Sequence, residues 1–167
     1  MPLETEGFLT LEELKAQTKY PSEERFQKGP VAVIECTRQI PCNPCEGACN
    51  FGAIHIGEPI TNLPCLDENK CTGCGMCVAR CPGLAIFVVD KTYSATQGTV
   101  SFPYEYYPTP QKGQEVEAVD RSGKAVGKGT VVRVLNPQSF DRTPVVTVAV
   151  DLDKVEEVRS IKRLQRS

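Results

Sequence analysis

The spacing of apolar positions changes character twice along the chain. Near the start, Leu11 and Leu14 stand among charged residues at helical spacing, with Thr10 placed as an N-cap and Glu13 three residues on, the pattern of a capping box. A second short turn is predicted from Ser22, with Glu23 and Glu24 at its positive end and Gly29-Pro30 as its stop. From about Lys91 onward the pattern becomes short alternating runs, TVSFPYEYY, QEVEAVD, GTVVRVL and PVVTVAV. They are separated by the turn-rich PTPQKG, RSGKAVGKG and NPQSFDRT. Four or five antiparallel strands with glycine corners predict a small β-barrel. The last stretch, DLDKVEEVRSIKRLQ, reads two ways: Val155, Val158 and Ile161 suit a helix, and EVRSI suits a strand that closes the sheet. The N-terminal stripe can be buried equally well on this chain or on a partner subunit.

Between these regions lies an internal repeat. A shift of 32 positions lays Cys42, Cys45 and Cys49 on Cys74, Cys77 and Cys81, and Ala53-Ile54 on Ala85-Ile86. Each half is predicted as a cysteine loop, a short helix after the last cysteine pair and an apolar strand, CNFGAIHI in one and CPGLAIFVV in the other. The match fails at one place. Cys71 falls on Gln39, and the available cysteine is Cys36, as if three residues had been inserted into CTRQIPC. The whole is an α+β chain: a helical extension over residues 1–30, a pseudo-twofold cysteine-rich unit over 31–92 and a β-barrel over 93–167.

Composition narrows the chemistry. Nineteen basic against twenty-one acidic residues give a net charge of -2, so no global field draws the chain to nucleic acid or an anionic bilayer. The longest apolar runs are too short to span a membrane, and MPLETEGFLT lacks the regions of a signal peptide, which predicts a cytoplasmic protein. All nine cysteines lie between Cys36 and Cys81. An odd, clustered set without a secretory signal points to metal ligation over a disulfide framework.

The run from Cys71 to Pro82 is C-x2-C-x2-C-x3-C-P. Two-residue separations let three thiolates wrap one face of a cubane, and the x3 spacing turns the fourth away. On these residues the chain resembles the dicluster 4Fe-4S ferredoxins over about residues 31 to 92. The resemblance implies a ferredoxin-like fold with two clusters, in which the fourth cysteine of each motif crosses to the other cluster. One would take Cys71, Cys74, Cys77 and the crossing Cys49. The other would take Cys42, Cys45, the crossing Cys81 and one more cysteine.

Cys36 is placed there, with Cys65 in NLPCLDENKC as the alternative. Cys65 matches an apolar strand position and is expected to be a small packed hydrophobe. If neither serves, that cluster is three-iron or absent. Gly73, Gly75, Gly47 and Ala48 are expected to let backbone N–H groups approach the sulfurs, although ordinary turn chemistry also explains the glycines. Asn50 replaces the proline found at Pro82. His55 alternates within AIHI as a solvent-facing or packed residue. Structural zinc is the competing occupant, but its sites use two separated C-x2-C pairs, whereas here the pairs overlap.

Fully ligated clusters move single electrons. No nucleophile–base pair, phosphate loop or dinucleotide fingerprint accompanies them, and GKAVGKG lacks the required spacing. Two such clusters add roughly -4 to the protein's charge. KGPVAVIECTRQIPCNPCEGAC, with its wide first loop, is similar to the small ferredoxin-type subunits of flavin-dependent dehydrogenases of amino or imino acids, of the proline and hydroxyproline kind, in anaerobic bacteria. That resemblance implies FAD or FMN on a partner subunit, with both ends of this chain as docking surfaces. A free-standing shuttle ferredoxin is the alternative. KGQEVEAVDRSGKAVGKGTVVRV is similar to SH3-like barrels, some of which bind RNA, with Lys112, Lys124, Lys128 and Arg133 as phosphate contacts. Glu115, Glu117 and Asp120 dilute that charge, and the hairpin offers no stacking aromatics. Phe102, Tyr104, Tyr106 and Tyr107 are expected in the barrel core or at a subunit interface.

Overall fold

The computed structural model describes residues 2–164, a mixed α/β chain whose sheets are antiparallel throughout. Three short helices come first: α1 (Pro2–Glu6), α2 (Leu11–Gln17) and α3 (Glu23–Phe26). The capping box forms in full. Thr10 N–H donates to the Glu13 carboxylate at 2.8 Å, and Glu13 N–H donates to Thr10 Oγ1 at 3.3 Å. Ser22 Oγ likewise accepts from Arg25 N–H at 3.2 Å. Leu14 and Phe26 are fully buried within the chain, so the extension covers its own protein. Lys91 fastens it from the other side, paired with Glu23 at 2.9 Å and stacked 4.2 Å from the Phe26 ring centre.

Strand β1 (Val31–Ile34) leads into the first cysteine loop, helix α4 (Pro44–Ala48) and β2 (Ile54–His55). Strand β3 (Cys65–Leu66), helix α5 (Met76–Arg80) and β4 (Ile86–Asp90) make the second half. Each helix sits before the last cysteine of its motif, not after it: Cys49 and Cys81 are the C-caps. The helices start there because the loops turn sharply at Pro44 and at Gly75, which holds a positive φ of 81°.

The 32-residue offset survives in the backbone. Glu35 N–H donates to Ala85 C=O at 2.8 Å and, 32 positions on, Asp67 N–H donates to Ala53 C=O at 2.7 Å. Strand β1 pairs with β4, and β2 with β3, the latter as a separate two-stranded ribbon.

The remaining strands are β5 (Gln97–Pro103), β6 (Glu115–Val119), β7 (Ala125–Leu135), β8 (Val145–Asp151) and β9 (Ser160–Ile161). They fall where the alternating runs place them. The final stretch takes the strand reading at Ser160–Ile161, after a 3-10 turn at Leu152–Lys154; residue 165 of that stretch lies outside the described residues. The strands expected to form a small barrel belong to a larger sheet. The order is β1-β4-β5-β8-β7-β6-β9, an open seven-stranded sheet. Among the described residues strand β9 pairs with β6 alone, and the outer edge of β5 is occupied by β4. An edge strand presents unpaired backbone groups, and β4 supplies partners for those of β5. The sheet therefore runs unbroken across residues 92–93. A single apolar core follows it, from Phe26, Val33, Cys45 and Cys77 to Phe102, Tyr104 and Val146. The aromatic set divides: Phe102 and Tyr104 are core, whereas Tyr106 and Tyr107 are exposed.

Candidate metal centre

Eight of the nine cysteines line two cavities in two sets of four. One is formed by Cys49, Cys71, Cys74 and Cys77 with Ala32, Phe51, Ala53 and Met76. The other is formed by Cys36, Cys42, Cys45 and Cys81 with Ile34, Ile40, Ile56 and Ile86. Helices α4 and α5 pack on each other between them. Because Cys49 and Cys81 end those helices, each is delivered to the cavity of the opposite motif.

The backbone is set to receive sulfur charge. Ala53 N–H donates to Cys49 Sγ at 3.3 Å, and Ala85 N–H donates to Cys81 Sγ at 3.4 Å, one bond in each half of the repeat. Ala32 N–H on β1 donates to Cys71 Sγ at 3.3 Å. These alanines supply contacts that were expected around the glycines. Gly47 lies within α4 with open space around it. Gly73, at φ +72°, lets the loop pass against the Pro30 carbonyl.

Cys65 is in neither cavity. It is exposed on β3, opposite His55, which is also exposed. The expectation of a packed Cys65 is corrected: its repeat counterpart Val33 is buried because β1 lies in the seven-stranded sheet, whereas β3 lies in a two-stranded ribbon.

Among the described residues, no three His, Cys, Asp or Glu side chains converge closely enough to hold a single ion. Structural zinc draws its sulfurs to about 2.3 Å from one point. Sulfurs arrayed four to a cavity without converging on one point suit a polynuclear group, and soft thiolate donors suit iron–sulfur chemistry.

A family model described as the 4Fe-4S binding domain matches residues 64–87. Residues 64–87 are thus similar to ferredoxin-type 4Fe-4S domains. That match supports iron–sulfur electron transfer as the chemistry of the domain. The chain is 32% identical over 89 residues to translation initiation factor rli1 of Schizosaccharomyces pombe, covering 47% of this chain and 14% of that protein. It is 47% identical over 47 residues to one component of an ion-translocating oxidoreductase complex of Methanosarcina acetivorans, covering 28% and 17%. It is 32% identical over 62 residues to the uncharacterized ferredoxin MJ0155 of Methanocaldococcus jannaschii, covering 37% and 36%. The chain thus spans between about one seventh and about one third of the length of these relatives. No solved structure matches it.

Three of the cavity thiols, Cys77, Cys45 and Cys36, resist ionisation. Burial pushes Cys77 up to about 12, with the neighbouring Cys71 and Cys74 adding to it. Burial, then Cys81, pushes Cys45 up to about 11. Cys36 is raised as well, chiefly by burial. Ligation requires thiolates, so loading these sites displaces protons.

Residues without any motif hold the loops in place. Glu46 of α4 accepts from Ile56 N–H at 2.6 Å and Gly57 N–H at 3.1 Å, which lowers its pKa and ties the helix to the end of β2. Beside Cys36, Glu35 Oε1 accepts from Arg121 Nε at 2.7 Å and Arg159 Nε at 3.0 Å. The last strands of the sheet are thereby anchored to the wide first loop. Arg25 of α3 donates to the carbonyl of Cys71. Sequence separations of 46 to 124 residues leave no local pattern from which the Arg25, Arg121 and Arg159 contacts are readable.

The four cations suggested for phosphate binding do not all line one groove. Lys112 and Arg133 line a groove over the sheet with Tyr93, whereas Lys128 pairs with Glu115 at 3.2 Å. Among the described residues, no helix is long and apolar enough to cross a membrane.

Proposed function

We propose that this chain is an electron-transfer subunit holding two 4Fe-4S clusters. Cys36, Cys42, Cys45 and Cys81 hold one, and Cys49, Cys71, Cys74 and Cys77 hold the other. It relays single electrons from a flavin-containing dehydrogenase subunit, acting on an amino or imino acid, to a further acceptor. The observation that carries the reading is the division of eight cysteines into two four-sulfur cavities.

A bound cluster supplies a one-electron carrier with no open ligand position when all four thiolates are in place. The chain's own residues do the rest. Ala32, Ala53 and Ala85 offset sulfur charge by hydrogen bonding, and the apolar walls restrict water; both are means of setting a reduction potential. Each cavity opens beside exposed apolar side chains, Phe51 and Met76 at one, Ile40 at the other. Two such openings support a relay with separate sites for receiving and releasing electrons. The likeness to a component of an oxidoreductase complex supports placement in an assembly.

The test is anaerobic metal and sulfide analysis with purification from the native source. About eight irons and eight sulfides per chain, without stoichiometric zinc, are expected, together with a flavoprotein in the same complex. Two zincs and no acid-labile sulfide would end the iron–sulfur reading. A monomer with full iron content and no flavin-bearing partner would replace the complex by the free shuttle.

A further inference from the structure

The Arg25 guanidinium is buried, with the residue only 7% exposed, and among the described residues no carboxylate stands at ion-pair distance from it, the Glu68 carboxylate acting on it from farther off. Its Nε donates to Glu68 C=O at 2.8 Å, Nη1 to Gly29 C=O at 3.1 Å, and Nη2 to the carbonyls of Pro30 and Cys71, each at 2.8 Å. The Glu68 carboxylate, the acid closest in sequence to these acceptors, is engaged elsewhere: it accepts from Ser22 N–H at 2.8 Å and from Ser22 Oγ–H at 2.7 Å. With Lys28 also near, the local sum of Arg25, Lys28 and Glu68 is one positive charge. Buried cations ordinarily require a paired anion, and four carbonyl dipoles compensate only in part.

The acceptors locate where the missing negative charge belongs. Cys71 receives Arg25 on its carbonyl and Ala32 N–H on its sulfur. Pro30 receives Arg25 as well, and its carbonyl packs against Gly73 of the same ligand loop. The guanidinium is therefore set behind the loop that lines the cavity of Cys49, Cys71, Cys74 and Cys77. We propose that Arg25 is the positioning residue of that site and the fixed counter-charge for the anionic cluster it holds. This rests on the cluster reading above. A fixed cation stabilises the reduced, more negative state, so Arg25 raises the reduction potential of this cluster relative to the same cluster without it. The other cavity makes no contact with Arg25.

The test is EPR-monitored redox titration of the full chain as wild type, Arg25→Gln and Arg25→Lys, repeated in a Cys36→Ser background where the signal of this site stands alone. Arg25→Gln is expected to keep its iron and to lose on the order of tenfold in the equilibrium for reduction of this cluster only, which is 59 mV for a one-electron couple. Arg25→Lys keeps the charge with fewer bonds. It is expected to melt earlier with its potential within about twofold of wild type, and it carries the test if Arg25→Gln does not accumulate. Both variants losing stability with both potentials unmoved would reduce Arg25 to a clamp, and a shift confined to the other cluster would overturn the assignment. Wild-type protein without iron and sulfide refutes the cluster reading instead.

Discussion

Replacing Gly73 by alanine tests how the ligand loop is held. Gly73 lies between Cys71 and Cys74 at φ +72°, and an added Cβ would stand 2.5 Å from the Pro30 carbonyl oxygen and 2.6 Å from its carbon. The left-handed backbone costs an alanine about 1–2 kcal/mol. The contact is with backbone that Arg25 pins through Pro30, so relief requires displacing the loop or β1, an overpacking cost of about 1–3 kcal/mol. A total near 3 kcal/mol corresponds to a fall in melting temperature of about 6–12 °C for a chain of this size. Gly47→Ala is the control, since its Cβ meets open space within a helix and alanine gains up to about 1 kcal/mol there. The assay is thermal unfolding of the iron-loaded protein at one scan rate, followed at the iron–sulfur absorbance, with cluster loss to a chelator measured alongside. Gly73→Ala is expected to melt early and bleach fast, and Gly47→Ala to match or exceed wild type. A Gly73→Ala protein that melts within about 2 °C of wild type would refute the packing argument.

Cys36→Ser is expected to remove one of two EPR signals and about half the iron, and Cys65→Ala to leave both intact; the opposite pattern moves the fourth ligand to Cys65. Cys49→Ser and Cys81→Ser should each abolish the cluster of the other motif's three cysteines, and loss of the same-motif cluster would disprove the crossing. Glu68 has its pKa lowered by the hydrogen bonds from Ser22, so its contribution is present above the ordinary carboxylate range and is lost as pH falls through its depressed value. Melting temperature should therefore drop in acid more steeply for wild type than for Glu68→Gln, and parallel pH profiles would contradict the sign.

Much of the site was legible from spacing alone. Cys71, Cys74 and Cys77 are close along the chain, so their positions around a cavity are a local property of one loop, and the 32-residue offset carries that loop to Cys42 and Cys45. The capping box at Thr10 and the strands after Lys91 were equally local. The choice between Cys36 and Cys65 was not. Both lie next to apolar positions, and what separates them is that Cys36 lines a cavity with Cys42, Cys45 and Cys81, whereas Cys65 faces out of a two-stranded ribbon whose inward side is Leu66. The order of the sheet was not legible for a related reason: period-two alternation specifies a strand but not which edge it joins, and β5 was met by β4. Arg25 reads in sequence as one more charge in a helical turn. Its burial against Cys71 is decided by the meeting of three segments 43 to 46 residues apart or joined by a tight turn, and only the folded chain brings those carbonyls to one guanidinium.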